Sequence, residues 1–150
     1  MKQVYISYSM EDEEFKEKLV KHLKAERIEV ATSDTIPAVG RQTQKQWSER
    51  KCKSAAAVLI LMSRYYQQEE ECIEDAEAAT KLQCPILFAK VKMFKENEWM
   101  KKIRGDSKLF DLSNPDKYKY YMKRLINSLK QMQSNLANVT THGTARKWSL

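Results

Sequence analysis

The feature that most constrains this 150-residue chain is a run of eight apolar residues, Ala-Ala-Ala-Val-Leu-Ile-Leu-Met, at positions 55–62. A run this short, with no charge on either face, suits a strand that helices cover on both sides, as in the middle of a parallel sheet. Ligands of open α/β sheets gather at the carboxyl ends of the strands. We therefore predict that this run is the central strand and that any functional chemistry lies just beyond Met62.

Strand and helix patterns alternate on both sides of this run. Further strands are predicted at residues 3–8, 27–32, 84–91 and 108–112, and helices are predicted after Ser9, at 42–53, at 71–82 and at 118–132. No glycine-rich phosphate loop or dinucleotide fingerprint is present. The pattern predicts the α/β class, as a flavodoxin-like three-layer sandwich with a five-stranded parallel sheet flanked by helices.

The bulk composition predicts one domain with a tail. An apolar content of 42% in 150 residues is enough for one core without disulfides or metals. We expect the domain at residues 1–132 and a flexible polar C-terminal tail at 133–150. No segment approaches the roughly 20 apolar residues of a transmembrane helix, and no signal-peptide pattern is present, so we expect a cytoplasmic protein. The three cysteines lack the spacing of metal ligands, so free thiols and no metal site are expected.

Charge is distributed unevenly along the chain. The formal charge is +7, with 12 basic and 15 acidic side chains in residues 1–80 and 15 basic and 5 acidic ones in residues 81–150. This asymmetry fits a phosphate-bearing partner, an anionic membrane surface, head-to-tail self-association, or a merely solvated basic surface. Nucleic acid is not an expected partner, because no recognition motif accompanies the lysines.

The segment at residues 33–40 breaks all periodicity and is predicted to be a loop. Pro37 fixes its φ angle and Gly40 can adopt a positive φ, so the loop is expected to be stiff. Ile36 and Val39 either form a contact surface there or, in the case of Ile36, plug the end of the core.

Four acidic residues occur early in the helix that is predicted after the central strand: Glu71, Glu74, Asp75 and Glu77. Carboxylates at a helix N-terminus interact favourably with the helix dipole, so a solvated helix start is sufficient to explain the group. Nothing in the residue spacing alone assigns it a reaction.

Four short motifs follow the order of the predicted elements. They are Val-Tyr-Ile-Ser-Tyr-Ser at 4–9, Asp-Thr-Ile-Pro at 34–37 with Gly40, Leu-Met-Ser at 61–63, and Tyr66 with Cys72 and Asp75. Together they resemble TIR domains, the Toll/interleukin-receptor and resistance-protein signalling modules, over residues 3 to about 131. The second motif is similar to the BB loop of that family.

The resemblance implies one of two functions. In the first, the domain is a signalling module that binds other TIR domains, including its own copies, and the BB loop is a main contact. The contact residues that this implies are Asp34, Ile36, Pro37, Val39 and Gly40. Together with the uneven charge, this is the function that we expect first.

The second implied function is cleavage of NAD at the bond between nicotinamide and ribose. NAD would be a substrate, and no cofactor is required. The resemblance places Asp75 where the family's enzymes have a catalytic glutamate, and Glu74 and Glu77 lie nearby in the sequence. It places Glu71 at a position that is frequently tryptophan in the family. It also implies an NAD pocket at Ser7, Tyr8, Ser9, Ser33 and Asp34.

The exchange of glutamate for aspartate has a physical consequence. Aspartate is one methylene shorter, and a misplacement of about 1 Å can cost on the order of a hundredfold in rate. Whether the chain is an enzyme is therefore left open. A receiver domain fits less well, because Met62 and Ser63 stand where that fold needs a phospho-acceptor aspartate.

Overall fold

The computed structural model describes residues 3–32 and 44–142, and the apolar run lies in the middle of its sheet. Strand β3 spans Ala57–Met62, and each of its six residues has an exposed fraction of 0%. It lies between β1, Val4–Ser7, and β4, Ile86–Lys90. Because both of its edges are paired and both faces are covered, every position tolerates an apolar side chain. The prediction of a central buried strand is confirmed.

The sheet is completed by two short strands at its edges. Strand β2 spans Val30–Ala31 beside β1, and β5 spans Leu109–Asp111 beside β4. The strand order is β2-β1-β3-β4-β5, and all four pairings are parallel. This is the order of flavodoxin-like sheets. The predicted fold class and the five strands are confirmed.

In the described residues, five α-helices cover the two faces of this sheet: α1 at Glu13–Ala25, α2 at Gln44–Ser54, α3 at Glu70–Lys81, α4 at Glu98–Arg104 and α5 at Tyr118–His142. Successive residues of a strand point to opposite faces, so each strand supplies two cores. Leu59 and Leu61 pack on one face with apolar residues of α1 and α5. Val58 and Ile60 pack on the other face with residues of α2, α3 and α4.

The second strand is shorter than predicted. Residues 27–32 were expected to be extended, but only Val30 and Ala31 pair with β1. Arg27 has a φ of 63°, the left-handed conformation of a turn, and Ile28 N–H donates to the carbonyl of Leu23 at 3.0 Å. The turn that follows α1 therefore occupies the first part of the predicted strand.

Helix α4 lies in a segment for which the sequence predicts only a connection. It has seven residues, too few for a periodic signal to stand out. Asn97 caps it, because its Oδ1 accepts a hydrogen bond from Met100 N–H at 2.8 Å. Gln67 holds the cap in place by accepting a hydrogen bond from Asn97 N–H at 2.9 Å. Tertiary contacts thus determine this helix.

Helix α5 continues beyond Met132, the last apolar residue of its predicted stripe. Gln133 is buried, and its Nε2 donates to the carbonyl of Glu29 at 3.4 Å. The helix ends at His142, so the predicted boundary at residue 132 falls inside it. In the part of the chain that the structure describes, no helix is long and apolar enough to cross a membrane.

Candidate functional site

A polar seam runs between β1 and α3. Tyr5 and Ser7 alternate with Val4 and Ile6 along β1, so their side chains point to the face that α3 covers. Both residues are buried. The central part of the sheet therefore presents two hydroxyl groups to the helix that carries Asp75.

Asp75 accepts both of these hydroxyls. Its Oδ2 accepts a hydrogen bond from Tyr5 Oη at 3.1 Å and another from Ser7 Oγ at 2.8 Å. Ser7 Oγ also lies 2.7 Å from Tyr66 Oη. Because the Ser7 hydroxyl has only one proton and donates it to Asp75, Tyr66 is the donor in that contact. Tyr5, Ser7, Tyr66 and Asp75 form what we call the Asp75 network.

Burial keeps the two phenols of this network protonated. It raises the pKa of Tyr5 far above its ordinary value, and the negative charge of Asp75 raises it further. The pKa of Tyr66 is raised by burial first and by Asp75 next. Both side chains therefore stay protonated and act as hydrogen-bond donors at neutral pH. With 7% of its surface exposed, Asp75 is enclosed together with them.

A second contact continues the seam toward the start of α3. Ser9 Oγ donates to Glu69 Oε1 at 2.8 Å and accepts a hydrogen bond from Glu11 N–H at 3.2 Å, which caps the turn before α1. Cys72 Sγ lies 4.0 Å from Glu69 Oε2. Burial and then the charge of Glu69 raise the pKa of the Cys72 thiol, so it is not an activated nucleophile.

A third polar cluster joins the start of α1 to the residues that follow β3 and β4, and the sequence does not predict it. The Asp12 side chain is fully buried, and its Oδ2 accepts a short hydrogen bond from Ser63, the residue after β3. Lys92, which follows β4, places Nζ 3.1 Å from Asp12 Oδ1, in an ion pair without the alignment of a hydrogen bond. The convergence of parallel strand ends is the signal that would have found this cluster.

The other acidic side chains of α3 are more exposed than Asp75. Glu71 and Glu77 are exposed and Glu74 is half-buried. Glu77 Oε2 accepts a hydrogen bond from Trp99 Nε1 at 3.3 Å. Of the four acids that the sequence groups together, Asp75 is the buried one, because its position on the helix faces β1.

Not all predicted pocket residues lie together. Ser7 contacts Asp75, and Ser9 lies further along the same seam. Tyr8 belongs to the opposite face of the sheet, where its ring is 5.0 Å from Lys16 Nζ. The remaining predicted residues fall outside the described part of the chain: Ser33, Asp34, Ile36, Pro37, Val39 and Gly40.

Within residues 3–32 and 44–142, no three side chains of the types His, Cys, Asp or Glu are grouped so as to hold a metal ion. None of the three cysteines, Cys52, Cys72 and Cys84, forms a disulfide.

Comparison with known proteins gives both a family and a fold. A family model described as the TIR domain matches residues 4–126. The TIR domain of the Toll-related receptor TRR-2 from the lower metazoan Hydra magnipapillata is similar in structure, with a TM-score of 0.74 and 14% sequence identity over 87% of this chain and 99% of that one.

The TIR domains of the activated Roq1 resistosome, a complex that directly recognises the pathogen effector XopQ, are also similar. Their TM-score is 0.65, with 12% identity over 86% of this chain and 99% of that chain. At such identities these structures share the fold. Comparison with curated protein sequences found no match. Because the family model covers most of the chain, including β1, β3 and the seam between β1 and α3, the chain belongs to the TIR domain family.

Proposed function

We propose that this TIR domain is a signalling module that works by assembling with other TIR domains, including its own copies, through the loop at 33–40 and its charged faces. The observation that carries the proposal is the environment of Asp75, the residue that the family resemblance aligns with the catalytic glutamate. It is 7% exposed, and its Oδ2 already accepts hydrogen bonds from Tyr5 and Ser7.

A catalytic carboxylate must come within about 2.6–3.2 Å of the group on which it acts. The Asp75 oxygen that faces β1 is bonded to two hydroxyls of this chain, and little of the side chain reaches solvent. Its hydrogen bonds join α3 to β1, so Asp75 stabilises the fold. This favours a binding module over an enzyme.

Replacing Ile36 with serine is expected to weaken self-association about tenfold, because loss of an apolar contact of this size costs on the order of 1–2 kcal/mol. Pro37→Ala is expected to act in the same direction, since it loosens the loop before binding. Sedimentation equilibrium over a range of protein and salt concentrations measures both effects.

Met93→Ser is the matched control, because it removes a side chain that is 75% exposed on another loop. Its association constant is expected to stay within about twofold of the value for the unmodified chain. Association curves of the Ile36 and Pro37 variants that coincide with that of the unmodified chain would count against the proposal.

Cleavage of NAD is the second candidate function. It is favoured by one contact: Asp75 lies 2.8 Å from Ser7, a residue of the pocket that the family resemblance implies. On the leading proposal, concentrated protein incubated with NAD releases no nicotinamide. High concentration is needed because an assembly-dependent site is inactive when dilute.

Release of nicotinamide that Asp75→Asn abolishes and Glu77→Gln preserves would replace the leading proposal with the enzymatic one. Glu77 is the matched control because it is an exposed carboxylate on the same helix. Each variant is assayed well below its own melting temperature, so that unfolding does not imitate loss of catalysis.

A further inference from the structure

Helix α5 exposes a strongly basic face. Its 25 residues, Tyr118–His142, include four lysine or arginine residues and no aspartate or glutamate. Lys130 is paired with Glu26 at 3.2 Å. Lys119, Lys123 and Arg124 are exposed, and no ion pair joins any of them to a carboxylate of the described residues. Their positive charge is therefore uncompensated within this part of the chain.

An exposed aromatic side chain lies within this basic face. Tyr120 is 58% exposed, one of only three large apolar side chains that are so exposed among the described residues. The Arg124 guanidinium lies 5.4 Å from its ring centre, and Tyr121 packs edge-on against it at 5.1 Å. Tyrosine and arginine are the residue types that most often dominate the binding energy of protein interfaces. We call Lys119, Tyr120, Lys123 and Arg124 the α5 patch.

Helix α3 carries the opposite charge. Its 12 residues, Glu70–Lys81, include five acids and one base. Glu70 and Glu71 are exposed at its start, and no basic side chain of the described residues pairs with either of them. The single base, Lys81, lies at the far end and pairs with Glu49 at 3.5 Å. We call Glu70 and Glu71 the α3 patch.

The two patches lie on opposite faces of the sheet. Helix α5 packs on one side with α1, and α3 packs on the other side with α2 and α4. The patches therefore cannot neutralise each other within one copy, but each can reach the opposite patch of a neighbouring copy. A contact between two different surfaces of identical chains is heterologous, and it propagates into an open chain of copies unless the rotation closes a ring.

From this arrangement we infer that the α5 patch of one copy docks on the α3 patch of the next. The inference rests on the proposed function and deepens it, because it names the surfaces that meet and the second copy as the occupant. Tyr120 supplies the apolar contact, and the opposed charges fix the orientation and suppress stacking of like faces.

Charge reversal tests the inference. Lys119→Glu with Lys123→Glu makes the α5 patch acidic, and Glu70→Lys with Glu71→Lys makes the α3 patch basic. Each double variant alone is expected to self-associate at least about tenfold more weakly, because like charges then face each other. An equimolar mixture of the two is expected to recover association, since every junction between unlike copies is again complementary. A chain that carries all four changes is expected to recover it as well.

Lys21→Glu with Lys53→Glu is the matched control, since it reverses two exposed charges on α1 and α2. Its association constant is expected to stay within about twofold of the value for the unmodified chain. Thermal melts test whether each variant is folded. Reversal at the first turn of α3 is expected to cost about 0.3–1 kcal/mol of helix-dipole stabilisation, a loss too small to unfold the domain.

The outcomes separate the inference from the proposed function. No self-association of the unmodified chain overturns both. Self-association that either reversal leaves unchanged, or that the mixture does not restore, overturns the inference and leaves the proposed function standing. If reversal of the α5 patch instead abolishes only co-sedimentation with phosphatidylserine vesicles, the patch binds membranes and the inference is wrong.

Discussion

Replacing Asp75 with alanine is expected to lower the free energy of unfolding by about 2–4 kcal/mol, because it leaves two buried donors without their acceptor. Those donors are Tyr5 and Ser7, at 3.1 and 2.8 Å from the carboxylate oxygen. Neither hydroxyl can turn to water, since both residues are buried on β1. Urea denaturation of the purified domain, followed by circular dichroism, measures the loss as a shift of the midpoint.

Glu71→Ala is the matched control for this prediction, because it removes a carboxylate from the exposed side of the same helix. It is expected to change the free energy of unfolding by no more than about 0.5 kcal/mol. Tyr5→Phe removes one of the two donors, and it should cost less in the Asp75→Ala background than in the unmodified chain. Equal effects of Asp75→Ala and Glu71→Ala would show that the Asp75 network does not hold α3 to β1.

Leu59→Ala is expected to lower the free energy of unfolding by about 3–4 kcal/mol, which is within the range for truncation of a leucine in a rigid core. Leu59 is fully buried in the middle of β3, and Ile6 of β1 and Leu87 of β4 lie directly opposite it. Because paired strands flank it on both sides, the surroundings have little freedom to close the cavity. The same denaturation experiment gives the loss.

Met93→Ala is the comparison for the core variant. It also shortens an apolar side chain, but Met93 is 75% exposed, so the change in unfolding free energy should stay below about 0.5 kcal/mol. A Leu59→Ala variant that unfolds at the same urea concentration as Met93→Ala would contradict the placement of β3 at the centre of the sheet.

Strong local patterns were sufficient to predict the fold. The apolar run became β3, and the three- and four-residue spacing of Met122, Leu125 and Leu129 became the core face of α5. Short elements were not predictable in this way. Helix α4 has only seven residues, and it depends on the contact between Asn97 and Gln67, which lie 30 positions apart.

The sequence pointed to the segment beyond β3 but not to the contacts that its residues make. The sequence placed functional chemistry beyond β3, and both Ser63 and Tyr66 there take part in buried polar networks. The acidic group at the start of α3 looked uniform as a sequence, because all its members favour a helix N-terminus. Only the position of each residue around the packed helix separates the buried Asp75 from the exposed Glu71.

The sequence by itself determined the class of the fold, the order of its elements and, through four motifs in register, the TIR family. These properties follow from hydrophobic periodicity and residue type, which act over a few neighbouring positions. Only the tertiary structure decided the role of individual polar groups. Asp75 lies 70 residues from Tyr5 and Asp12 lies 51 residues from Ser63, and burial converts these distant pairs into hydrogen bonds that are shielded from water. The same packing set the acidic face of α3 and the basic face of α5 on opposite sides of one sheet.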